Sequence, residues 1–383
     1  MPASTCTPAR TPNLRAALNP ATTKLPAECP HCGCKRLTRK GIRKKKLERV
    51  QLWQCGRCRR VATPAPAHVR NTTYPPRLIL DALTTYNLGH SLAETAKRIH
   101  ARTARAVPLS TLSRWITAYR PFTSYAGLRA RGLALFPARK TLMRVKLYHR
   151  QVYEFAYHRP KLALLTGSGN LADQSGTPPN PASDTSISNP SANIRGDDAV
   201  HARSRRQPRF APLASFLERV PDQCPHALFR ASARASQAAS PFIADNKRIA
   251  IPKENMATRM AALVLPTTGD NYARHAALQR FMLANDSTTV AVEVPIWLRA
   301  EDIAAIERRW GIELLPKTAT AAPEGETRSI TGHIDFLQIR NGAIHILDYK
   351  PDATTGKPFA QLTLYALALS HLTGIPLFDF KCA

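Results

Sequence analysis

Asp335, Asp348 and Lys350 are the residues whose types and spacing best suit chemistry. They lie in ITGHIDFLQIRNGAIHILDYKPD, which runs from Ile330 to Asp352. Two carboxylates on facing strands, with a lysine two residues beyond one of them, would hold a divalent cation. The ammonium would then lie against a phosphate or an attacking water. The segment predicts a β-hairpin. Asn341-Gly342 supplies the two φ > 0 positions of a type I′ turn, and Ile, Phe and Leu alternate with polar residues on either side. Side chains repeat with period two along a strand, so Asp348 and Lys350 share a face and Asp335 joins them from the partner strand. Such a face is costly to bury unless its carboxylates hold a cation. A D-x-K pair alone also fits a solvated strand. The single hairpin between the two acids, and a helix bearing Gln361 directly after it, favour a site.

At Gly332-His333-Ile334-Asp335, Asp348-Tyr349-Lys350, and Gln361 and Tyr365 of QLTLYALAL, the chain resembles the PD-(D/E)XK nuclease superfamily, in particular its RecB-like branch. The resemblance implies an α/β domain with a mixed sheet flanked by helices. It implies that Asp335 and Asp348 ligate Mg²⁺ or Mn²⁺, that Lys350 assists the nucleophile, and that the helix with Gln361 packs over the site. It also implies a metal-ligating histidine on a helix before the sheet and an acid on the first strand. His275 in ARHAALQRFML and Glu293 in AVEVP match those roles by order, with His333 an alternative imidazole. A lone helical histidine is more often structural. An acid in an otherwise apolar strand is harder to explain without a partner.

Charge divides the chain. Residues 1–165 carry 32 Lys and Arg against 5 Asp and Glu, whereas the remainder is close to neutral, within an overall net charge of +29. A front half that basic predicts a polyanionic partner, DNA first among them. No apolar run approaches the length of a membrane-spanning helix, so no membrane partner is expected and an intracellular, nucleoid-associated location is. Cys29-x-x-Cys32 and Cys55-x-x-Cys58 are spaced as two knuckles meeting across a hairpin, which predicts a tetrahedral structural Zn²⁺ site in a zinc ribbon over residues 28–63. His31 and Cys34 are possible substitute ligands. The cations between the knuckles, Lys44, Lys45 and Lys46 among them, would contact phosphate, with Trp53 nearby.

Three helices are expected over residues 74–120. Prolines open the first, with Leu78, Ile79, Ala82 and Leu83 at helical spacing; Ser91-x-x-Glu94 caps the second; Ser110 or Thr111 caps a third carrying Ser113, Arg114 and Thr117. This reads as a helix-turn-helix with the third helix as groove reader, or else as a basic helical bundle. Residues 28–120 together resemble the N-terminal DNA-binding region of insertion-sequence transposases, although no catalytic domain of that kind follows. Residues 1–27 read as a disordered basic leader, 121–165 as a basic helical extension rich in tyrosine, 166–209 as a flexible linker, and 210–383 as the nuclease-like domain. The combined expectation is a multidomain chain: a small β zinc ribbon, an all-α helix-turn-helix and an α/β nuclease-like domain that cuts DNA. The alternatives are a non-enzymatic DNA-binding regulator or mobile-element accessory protein with an inactive nuclease fold, and an RNA-processing factor. A homodimer is compatible with each.

Overall fold

The computed structural model describes residues 28–44, 49–63, 73–167, 208–238, 254–268, 271–315, 328–350 and 359–383. The expected leader, most of the expected linker, Lys45 and Lys46 lie outside the described residues.

The first described unit is a three-stranded antiparallel sheet of β1 (Leu37–Lys44), β2 (Arg49–Cys55) and β3 (Val61–Ala62). It buries little beyond Val50, Trp53, Ala62 and its cysteines, so the knuckles must supply what a core does not. Three helices follow: α1 (Pro76–Asn87), α2 (Leu92–Thr103) and α3 (Leu109–Ala118). Pro76 opens α1 where its missing N–H costs nothing, and Ser91 caps α2 by accepting from the Glu94 N–H at 3.1 Å. The third helix begins at Leu109, after Pro108, rather than at Ser110 or Thr111.

The helical extension expected over residues 121–165 is largely wrong. After short 3₁₀ turns and α4 (Arg129–Leu135), residues Leu142–Tyr148 (β4) and Val152–His158 (β5) form an antiparallel hairpin, and only α5 (Arg159–Thr166) is helical. Leu147, Phe155 and Tyr157 are buried there. The hairpin escaped the sequence reading because its turn, His149-Arg150-Gln151, holds no Gly, Pro, Asn or Asp to announce it.

That hairpin belongs to a seven-stranded mixed sheet. The other elements are α6 (Ala211–Gln223), α7 (His226–Ala231), β6 (Ala233–Arg234), α8 (Met256–Val264), α9 (Asn271–Asn285), β7 (Thr289–Leu298), α10 (Ala300–Trp310), β8 (Ile330–Arg340), β9 (Ala343–Leu347), α11 (Phe359–Thr373) and β10 (Phe380–Cys382). The strand order is β10-β9-β8-β7-β5-β4, with β6 paired to the start of β8. β10 runs parallel to β9, and the pairs among β4, β5, β7, β8 and β9 are antiparallel. The β8–β9 turn has Asn341 at φ 50° and Gly342 at φ 68°, the two left-handed positions of a type I′ turn.

Two hydrophobic cores cover the sheet. One joins it to α6, α10 and α11 through residues such as Leu217, Ile303, Leu364 and Leu369. The other joins Val292 and Phe336 to α8, α9 and all of α1–α3. The three-helix unit is therefore packed into the sheet's own core rather than held apart on a tether. Polar contacts reinforce this: Asn87 donates to Asn285 at 2.7 Å, and Asp81 pairs with Arg102 at 3.2 Å and with Arg280 at 2.7 Å. Its apolar faces leave no other outlet, because Leu78, Ile79 and Leu83 need a partner surface to leave water.

Candidate metal-dependent active site

β7 and β8 lose their regularity at the same level, and the acids sit there. Val292 pairs with Phe336 and Val294 with Ile334, which sets Glu293 opposite Asp335. Glu293 adopts φ 50°, a left-handed conformation that costs a side-chain-bearing residue about 1–3 kcal/mol. On β8, Ile330 and Ile334 enter the first core and so do Leu337 and Ile339, so the inward alternation changes parity across Asp335. The backbone departs from regular alternation where it presents two carboxylates side by side. Like charges directly opposite one another destabilise a sheet, so the sequence sacrifices local stability at this point.

α9 supplies two side chains one turn apart on its sheet-facing side. His275 Nε2 lies 3.0 Å from Asp335 Oδ2, and His275 Nδ1 lies 3.7 Å from Glu293 Oε1. Gln279 donates to Glu293 Oε1 at 2.7 Å and reaches the Asp335 carbonyl at 3.4 Å. The Tyr349 N–H donates to Asp335 Oδ2 at 2.8 Å. Asp348, just past β9, is the fourth member of this group. Its Oδ2 lies 2.9 Å from Lys350 Nζ, and its Oδ1 accepts from Gln361 at 3.3 Å. Gln361 in turn donates to Tyr365 Oη at 2.7 Å, one turn along α11. Gly332 lets that tyrosine approach: a Cβ there would fall 2.5 Å from Tyr365 Cε1.

Burial, more than any neighbouring charge, sets the electrostatics of these acids. Burial pushes Glu293 up to about 7, the Gln279 hydrogen bond opposes this, and the Asp335 charge adds to it. Burial also raises Asp348, helped by Asp335 and opposed by Lys350. Burial alone would lower His275, but its hydrogen bond to Asp335 and the charges of Asp335, Glu293 and Asp348 outweigh it, so the imidazole is held up. Three converging carboxylates and an imidazole, all largely withdrawn from water, fit a hard or borderline divalent cation such as Mg²⁺ or Mn²⁺. His275, Glu293 and Asp335 bring one ligand atom each within 4.8 Å of one another.

These groups line a cleft of about 520 Å³, walled on its other side by the β4–β5 turn, Phe229 and Arg234. His333 lines it too, but it turns to His149 at 2.9 Å and stacks on Tyr153 rather than joining the carboxylates. Burial lowers both His333 and His149, and the positive charge of neighbouring histidines and arginines adds to it. The structure thus brings Asp335, Asp348, Lys350, Glu293, His275 and Gln361 together and leaves His333 apart. Gln279 was missed in the sequence, although its place four residues after His275 on one helix was a usable signal.

In the ribbon, Cys29 and Cys58 Sγ are 3.6 Å apart, as are Cys32 and Cys55 Sγ. The four sulfurs form one group that His31 and Cys34 do not join. Those separations approach the edge of a thiolate tetrahedron around Zn²⁺, about 3.8 Å for bonds near 2.3 Å. The Cys58 N–H, then that of Arg57, point at Cys55 Sγ and draw its thiol down to about 6. Lys44 is exposed on β1, where Arg39 also lies over Trp53. Ser113, Arg114 and Thr117 are exposed along α3.

Residues 210–377 match the family model of the PD-(D/E)XK nuclease superfamily. No curated protein and no solved structure matches the chain. The family match thus covers α6 to the end of α11, and with it Glu293, Asp335 and Asp348. Among the described residues, no helix is long and apolar enough to cross a membrane.

Proposed function

We propose that this chain binds DNA and hydrolyses its phosphodiester bonds in the cleft between β7–β9 and α9, in dependence on Mg²⁺ or Mn²⁺. The observation that carries the reading is the meeting of Asp335, Asp348, Glu293 and His275 beside Lys350 in one cleft, within a segment that matches a nuclease family model. Asp335, Asp348, Glu293 and His275 would hold the cation. When bound, it supplies Lewis acidity at the phosphate and offsets the charge that develops there.

The chain's own groups do the rest. Lys350, 2.9 Å from Asp348 and partly exposed, is placed to orient a water or to contact a phosphate oxygen. Gln361 fixes the other oxygen of Asp348, and Tyr365 fixes Gln361. The Tyr349 N–H and His275 hold Asp335 in orientation, and Gln279 does the same for Glu293. Lys44 on the ribbon and Ser113, Arg114 and Thr117 on α3 are the proposed phosphate and groove contacts, with Lys45 and Lys46 beside Lys44 in the sequence. The RecB-like and transposase-like resemblances point the same way, toward DNA as the substrate and a structural Zn²⁺ in the ribbon.

The test is cleavage of linear, circular and single-stranded DNA with Mg²⁺ or Mn²⁺. Metal-dependent products from any of these, lost in Lys350→Ala while binding persists, support the reading, and cutting of the circle assigns endonuclease action. Tight, salt-sensitive binding with no cutting of any substrate would instead favour a binding protein on a nuclease scaffold.

A further inference from the structure

At the far wall of the cleft, which His149 lines, that residue meets two side chains from a segment distant in sequence. His149 Nε2, in the β4–β5 turn, lies 3.1 Å from His226 Nδ1 and 3.7 Å from Cys224 Sγ. Their ligand atoms all fall within 4.8 Å of one another. We infer that His149, Cys224 and His226 form a further transition-metal site, of a kind that takes Zn²⁺, separate from both the ribbon and the carboxylates.

The distances suit that ion. With Zn–N near 2.05 Å and Zn–S near 2.3 Å, the edges of a tetrahedron are about 3.3 Å between nitrogens and about 3.6 Å between nitrogen and sulfur. The observed 3.1 and 3.7 Å lie close to both. One thiol with two imidazoles is a borderline-soft donor set, which selects Zn²⁺ over Mg²⁺. A simple hydrogen-bonded pair of imidazoles would account for His149 and His226. It leaves out the buried Cys224 thiol, which approaches the same nitrogen at 3.7 Å as a third donor atom.

The backbone prepares this meeting. Cys224 caps the C-terminus of α6, and the His226 N–H donates to the Cys224 carbonyl at 2.9 Å, a tight turn that keeps both ligands close. His149 stacks on Phe229, with ring centroids 3.9 Å apart and planes 11° apart, which fixes its ring. Its other nitrogen, Nδ1, meets His333 Nε2 at 2.9 Å. A metal-ligating histidine usually has its second nitrogen held in this way, because the outer hydrogen bond sets the tautomer that leaves Nε2 free to ligate. His333 stands two residues before Asp335 on β8. The ion would therefore pin the β4–β5 turn to the α6–α7 junction and set the wall facing the carboxylates.

This inference does not depend on the proposed nuclease activity, and its test does not read activity. The full-length chain is purified with Zn²⁺ and exchanged into excess Mg²⁺ without free Zn²⁺, so that the carboxylate site holds none. Metal analysis should then show one equivalent of zinc per chain lost in Cys224→Ser/His226→Ala and retained in Cys55→Ser/Cys58→Ser. Equal zinc content in the wild type and the first variant would overturn the inference. Should that variant fail to fold, zinc X-ray absorption of the wild type decides: a shell of nitrogen and sulfur supports the site, and a shell of sulfur alone rejects it.

Discussion

Replacing Glu293 with glutamine should make the metal-free protein more stable while removing its response to metal. Burial is the main cause that lifts this carboxyl from its ordinary 4.5 to about 7. Holding it ionised above pH 7 therefore costs the fold up to about 3 kcal/mol relative to the unfolded chain. The value of about 7 already includes the opposing attraction to His275, so a net gain of roughly 2–3 kcal/mol is expected for the variant at pH 8. Glutamine keeps an oxygen to accept from Gln279 and retains the strained φ of 50°, so neither contributes to the difference. The sign follows from proton binding. Between pH 4.5 and 7 the folded chain holds a proton that the unfolded chain has released, so this group's contribution to stability falls as pH rises through that window. The assay is thermal unfolding at pH 5 and pH 8, in chelator and in Mn²⁺. In chelator the variant should melt higher than wild type at pH 8 and by a much smaller margin at pH 5. In Mn²⁺ the wild type should gain and the variant should gain little. A variant that melts lower than wild type in chelator at pH 8, or that gains from Mn²⁺ as wild type does, would refute the reasoning.

Other consequences follow from the same geometry. Gly332→Ala should displace Tyr365, loosen Gln361 and lower the cleavage rate by about tenfold or more, because a Cβ at that position meets the ring at 2.5 Å; a rate equal to wild type would remove Tyr365 from the account. Lys161 is wholly buried, donates to the carbonyls of Leu283 and Thr289 at 2.5 and 3.0 Å, and is pushed by burial down to about 7, with Asp286 opposing. The unfolded chain therefore holds the extra proton from about pH 7 to 10.5, so this lysine's penalty fades as pH rises through that window. Urea unfolding should show the gap between wild type and Lys161→Met shifting in favour of wild type from pH 7 to pH 9.5. Arg114→Ala should weaken DNA binding by a similar factor on any sequence and flatten its salt dependence if the contact is to phosphate, whereas loss confined to one sequence would make it a base reader.

Much of the cleft was legible because its local signals agreed. Asn341-Gly342 declared the hairpin that carries Asp335 and ends just before Asp348 and Lys350, and the apolar run around Glu293 marked an acid that needed a reason to be there. The helix with His275, the strand with Glu293 and the helix with Gln361 followed from the same patterns, whereas the short α7 and β6 did not, and the family match covers most of that stretch. The β4–β5 hairpin was illegible because its turn lacks turn residues and its pairing with β7 joins segments more than a hundred residues apart. The packing of α1–α3 against α8 and α9 was hidden for a related reason. An amphipathic helix shows that it needs a partner surface but not which one. The His149–Cys224–His226 group needed tertiary proximity that no spacing encodes.

The most direct test of the central claim measures binding and cleavage on one labelled duplex, with wild type and Asp348→Asn, in Mg²⁺ and in chelator. Asparagine keeps the shape of Asp348 and an oxygen for Gln361 while removing one carboxylate from the cluster. Metal-dependent cutting by wild type, reduced by at least about a hundredfold in the variant with binding intact, is the predicted result. Cutting that persists in Asp348→Asn, or that wild type performs equally well in chelator, would contradict it.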